Sequence, residues 1–93
     1  MTNMTDDLDT LRKRLDYRAH HRGTKEMDFV LGAFAEAHLP GYDGAMLERF
    51  AAVLEESDAD MLSWVTGQAP VPDSADTSLI GTIVAFANRS RTR

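Results

Sequence analysis

With 93 residues, the chain makes one domain that can bury a core but has little room for a deep substrate cleft. Its 43% hydrophobic and 27% charged residues are ordinary for a globular protein, and no apolar run approaches the roughly 20 residues that cross a bilayer. A net charge of −5 with no cysteine excludes disulfides, thiol catalysis and sulfur-ligated metals or clusters, and sets an acidic body against polyanionic partners.

Asp6, Asp7 and Asp9 precede the first basic residue. This argues against a secretory signal or an Arg-rich transit peptide and for a cytoplasmic location. The first helix is expected over residues 7–20, where Leu8, Leu11, Leu15 and Ala19 recur three and four apart. Gly23 suits a helix terminator, since it takes positive φ without a Cβ penalty, and Thr24 can cap a second helix. On that helix Met27, Val30, Leu31, Phe34, Ala35 and His38 share one face until Pro40-Gly41 stops it. Asp43 caps a third helix carrying Met46, Leu47, Phe50, Val53 and Leu54. Ser57, with Asp60 three residues on, opens a short fourth helix holding Met61, Leu62, Trp64 and Val65, and Gly67 ends it. Residues 68–74 carry two prolines and read as an ordered loop. A fifth helix aligns Leu79, Ile80, Ile83, Val84 and Ala87, followed by a polar, basic tail beyond Asn88. The expectation is an all-α fold: a compact bundle of four to five short helices in a single domain over residues 1–93, with 1–6 and 89–93 flexible.

Charge is unevenly spread. Residues 12–25 hold six basic side chains against one acid, Asp16, whereas residues 26–76 hold eleven acids and one base, Arg49. The basic segment either packs beside its own acidic helices or forms a docking face for an anionic partner, and charge alone does not choose.

Catalytic constellations are missing. His20, His21 and His38 have no His-x₃-His or Cys partner that would make a zinc site. No nucleophile elbow and no glycine-rich phosphate cradle occurs, so neither catalytic nor metal-binding residues are assigned. A helix-turn-helix reader would place its basic residues on the second helix of a pair, and here that helix is acidic after Lys25. Weak nucleic-acid binding is therefore a minor reading, and a small helical regulator of another protein is a broader one.

The segment from Tyr17 to Asp28 is dense in charge where two helices should meet. Each residue has a structural explanation. Gly23 can end a helix; Glu26 and Asp28 sit in a first turn, where the helix dipole favours acids by about 0.3–1 kcal/mol each. Arg22 is either an exposed arginine or a mate for Glu26 four positions on. Trp64, Phe34 and Phe50 are expected in the core, and Met27 fits core or contact equally.

Together these residues resemble a family. Arg22-Gly23-Thr24-Lys25-Glu26-Met27-Asp28 matches the R-G-x-x-E motif, followed by x-D, of the small helical flavinylation factors of succinate dehydrogenase, the SdhE type with mitochondrial relatives. Arg14-Leu15-Asp16-Tyr17-Arg18-Ala19 resembles the lead-in to that motif, and Leu31-Gly32-Ala33-Phe34-Ala35 the second-helix core. The stretch from Leu54 through Trp64 and Gly67 to Pro72 is similar to the family's tryptophan region. His20 and His21 depart from it, standing where members often carry arginine or another polar residue.

The resemblance implies a helper, not an enzyme. Such a factor binds the flavoprotein subunit of succinate dehydrogenase, with fumarate reductase as a second candidate client. It promotes bond formation between a histidine of that subunit and the flavin 8α carbon. FAD would be held by the client, with no cofactor held stably by this chain, which would act as a monomer away from nucleic acid and membrane. The partner-binding residues implied are Arg18, Arg22, Gly23, Glu26, Met27 and Asp28. Gly23→Arg is expected to abolish docking by bulk and leave the helical fold intact.

Overall fold

The computed structural model describes residues 4–91, with side chains from 7 to 89. Five α-helices follow one another: α1 (Met4–His20), α2 (Lys25–His38), α3 (Gly44–Val53), α4 (Asp58–Val65) and α5 (Thr77–Arg91). A 3-10 turn at Leu39–Gly41 separates α2 from α3. No strand occurs among the described residues, so the all-α bundle expected from the sequence is what forms.

The starts of the three middle helices follow from their caps. Thr24 accepts from the Met27 amide at 3.4 Å, Asp43 from Met46 at 3.0 Å, and Ser57 from Asp60 at 3.1 Å. Each satisfies an amide that a helix start leaves without a partner. Asp76 serves α5 in the same way, its carboxylate accepting from the Leu79 amide at 3.1 Å. Pro40, early in the 3-10 turn, replaces an abrupt stop with a tightened exit: the Tyr42 amide donates to the Leu39 carbonyl at 3.1 Å.

Helix α2 is the centre of the bundle and packs against α1, α4 and α5. Its apolar face, Met27, Val30, Leu31, Phe34 and Ala35, is buried with Leu15 and Ala19 of α1, Leu47 and Phe50 of α3, Met61 and Trp64 of α4, and Ile80 and Ile83 of α5. Phe34 is the hub: it lies 6.0 Å from Phe50, meets Phe86 edge-on at 5.5 Å and stacks with His38 at 4.3 Å. Burying a side chain of this size stabilises by roughly 1.5–3 kcal/mol, so the pairing of α2 with its neighbours is fixed from the middle outward. Two ends differ in length from the sequence pattern. α1 begins at Met4 and α5 continues to Arg91, because neither flank contains a residue that breaks a helix. Of the stretches expected to be flexible, residues 1–3, 92 and 93 lie outside those described.

Candidate functional site

The turn between α1 and α2 is tied down from several directions. The Arg22 and Gly23 amides both donate to the Asp28 carboxylate, that of Gly23 at 3.3 Å. The Arg22 side chain, only 11% exposed, crosses to the α3–α4 connection. There its Nε donates to the Asp58 carboxylate at 2.8 Å, one terminal nitrogen donates to the Glu56 carbonyl at 2.6 Å, and the other to the Leu54 carbonyl. Leu54 is the C-cap of α3, so this guanidinium satisfies a carbonyl that a helix end leaves without a partner. Its rigid fork suits three acceptors in one place. A single arginine thus staples two interhelical turns together.

Gly23 sits at φ +105°, and a Cβ placed on it would meet nothing within 4 Å. Bare backbone is therefore presented outward, in a conformation that side chains rarely adopt. Thr24, Lys25 and Glu26 follow it at the surface. The Glu26 carboxylate has no hydrogen-bond or ion-pair partner among the described residues. Beside it an open groove of about 430 Å³ runs between the start of α2 and α4, lined by Thr24, Lys25, Glu26, Met27, Asp58, Ala59 and Leu62. Phe29, one turn beyond Lys25 and Glu26, is 66% exposed.

The structure divides the candidate residues. Arg22, Gly23 and Asp28 come together as the framework of the turn, and Glu26 stands on its open side. Arg18 is directed elsewhere, to Glu55 at 2.7 Å. Met27 is 1% exposed and belongs to the core. Arg22 pairs with Asp58 instead of Glu26, because its side chain lies inward across the turn while Glu26 points out. Gly23→Arg also acquires a second effect, since any side chain at that φ strains the backbone by about 1–2 kcal/mol. Asp58 and Phe29 were not among the candidates. The signal for Phe29 was its place off the apolar face defined by Met27, Val30, Leu31 and Phe34; Asp58 looked like a first-turn acid and nothing more.

Half of the basic segment's cations are engaged within the chain. Arg12 donates to the Leu39 and Tyr42 carbonyls, each at 2.9 Å, and to Asp9 at 2.7 Å, while Arg18 and Arg22 hold Glu55 and Asp58. Internal complementarity therefore accounts for three of the six. Lys13, Arg14 and Lys25 have no such partner among the described residues. No group of three His, Cys, Asp or Glu side chains that could hold a metal occurs among the described residues. No helix there is long and apolar enough to cross a membrane.

Residues 13–87 match the model of a family described as flavinator of succinate dehydrogenase. The FAD assembly factor SdhE of Acetobacter pasteurianus is 34% identical over 79 residues, covering 85% of this chain and 72% of that protein. A mitochondrial succinate dehydrogenase assembly factor 2 from Dictyostelium discoideum is 29% identical over 80 residues, and one from Schizosaccharomyces japonicus 38% identical over 63. The chain spans 57% and 44% of those two mitochondrial proteins.

Proposed function

The chain belongs to the family of flavinators of succinate dehydrogenase, and on that premise we propose that it is an assembly factor that docks on the flavoprotein subunit and promotes covalent attachment of FAD. The observation that carries this reading is the prebuilt turn at residues 22–26: fixed internally by Arg22 and Asp28, bare at Gly23, and open at Glu26 and the groove toward α4. A surface held rigid before binding loses little entropy on docking. Glu26 offers an unengaged acceptor, Gly23 admits a close backbone approach, and Leu62 in the groove and Phe29 on the next turn of α2 supply apolar contact.

The reacting histidine and the flavin belong to the client, and this chain contributes no reacting group. It acts as a monomer in the cytoplasm and favours the reactive arrangement of the client by binding that state more tightly than the others. A preference of about 1.4 kcal/mol changes the population ratio tenfold, which a few contacts at the turn can provide.

The test is flavin fluorescence of the denatured flavoprotein after co-expression with this chain or with its Glu26→Ala variant. Wild type should raise the covalently bound flavin well above the level without the factor. Glu26→Ala should remove most of that gain while changing stability by no more than about 1 kcal/mol, the helix-dipole contribution of an exposed first-turn acid. Equal flavin with and without the wild-type chain would refute the reading.

A further inference from the structure

Both ring nitrogens of His20 face oxygens that accept. Nδ1 lies 2.8 Å from the Asp16 carbonyl and 3.6 Å from the Asp16 carboxylate, and Nε2 lies 2.9 Å from the Glu36 carboxylate on α2. A carbonyl and an ionised carboxylate have no proton to give. A neutral imidazole carries one N–H, so one of the two contacts would always be unmet; only the imidazolium serves both. The ring is seated against α2 at Gly32, where a Cβ would stand 2.6 Å from its Cδ2 and 2.8 Å from its Nε2. Glycine at this mid-helix position is what lets the ring lie across the helix. The neighbouring histidine differs. The His21 ring has one hydrogen bond among the described residues, from Nδ1 to the Tyr17 carbonyl at 2.7 Å, and stacks on the Tyr17 ring; a single N–H satisfies that arrangement.

We propose that His20 is a positioning residue whose imidazolium form clasps the end of α1 to α2 and thereby holds the docking turn, so that client docking weakens as this ring loses its proton. His20 is the last residue of α1, two positions before Arg22, whose amide must stay on Asp28 for the turn to keep its shape. The charged groups that act on the ring are Asp16 and Glu36. Arg12 and Lys13 line the same cavity of about 220 Å³ as these acids, but Arg12 is bound to Asp9 and two carbonyls, leaving Lys13 as the opposing cation. The hydrogen bonds to the Asp16 backbone and to Glu36 raise the His20 pKa above its ordinary 6.5, against desolvation. A raised folded-state pKa places the clasp's contribution fully below that value and removes it as pH climbs through the higher one.

The docking consequence rests on the function proposed above; the clasp itself does not. In a proton NMR titration of the isolated chain, His20 should titrate above the ordinary histidine value of 6.5, Glu36→Gln should bring it down toward that value, and the amides at 22–24 should exchange faster once it is neutral. Capture of flavoprotein lacking covalent flavin should fall several-fold between about pH 6 and about pH 8.5, and His20→Gln should flatten that profile at the weak level. A His20 that titrates at or below the ordinary 6.5 and ignores Glu36→Gln overturns the clasp. Equal capture by wild type at both pH values overturns the positioning role. No capture at either pH overturns the docking reading, with the titration still deciding the clasp.

Discussion

Two glycines in this molecule have positive φ, Gly23 at +105° and Gly67 at +79°, and neither has an atom within 4 Å of the place a Cβ would occupy. Their surroundings are opposite. At Gly67 the turn closes on its own helix: the Gly67 amide donates to the Trp64 carbonyl at 3.2 Å and the Gln68 amide to Ser63 at 2.8 Å, the paired backbone bonds of a Schellman end. At Gly23 the turn is held by side chains instead. Asp28 receives two of its amides, and the Arg22 beside it reaches residues 54, 56 and 58. A glycine that only ends a helix needs no remote support. At Gly23 the neighbours are anchored to another part of the fold, beside an open groove, and the function proposed above gives that anchoring a use.

The comparison breaks first at Arg22. Arg22→Ala leaves the Asp58 carboxylate and two carbonyls without their donor, which should cost roughly 2–3 kcal/mol on the scale of charge-assisted hydrogen bonds. For a domain of this size that lowers the melting temperature by about 10–20 °C. If the turn docks as proposed, flavinylation support should disappear even at temperatures where the variant is folded, because the turn loses its anchor. Thermal unfolding followed by circular dichroism, paired with the flavin assay at low temperature, separates the two losses.

A smaller effect sharpens the contrast from outside the site. Asp76 caps α5 and accepts from two of the Arg49 nitrogens, at 2.8 and 2.9 Å. Asp76→Ala should cost about 1 kcal/mol, the usual loss of a helix cap, without touching flavinylation. Hydrogen bonding by Arg49 holds the Asp76 carboxyl below its ordinary 3.8. The stability it adds is therefore present above that pH and lost as pH falls through the lowered value. Melting curves of wild type and variant should differ at neutral pH and converge in strong acid.

Much of the fold was legible because each middle helix carries both its apolar period and its cap: Thr24, Asp43 and Ser57 sit where the sequence pattern puts them. The outer ends were not, since neither residues 4–6 nor 89–91 contain a glycine or proline to mark a boundary. Within the site, the position of Gly23 could be read from the residue type alone, because positive φ is what glycine permits. Arg22 could not. Its acceptors lie 32, 34 and 36 positions away, and two are backbone carbonyls with no mark in the sequence. Met27 was ambiguous because it lies on both the motif and the apolar face, and packing placed it in the core.

The most direct test is a matched pair. Gly23→Arg and Gly67→Arg each put the same side chain at positive φ into open space, so each should cost on the order of 1–2 kcal/mol of strain, read as similar drops in melting temperature. Covalent flavin in the co-expressed flavoprotein should then fall to the level without the factor for Gly23→Arg and stay near wild type for Gly67→Arg. Equal flavin for the two variants at equal stability would contradict the claim that the turn at Gly23 is the docking surface.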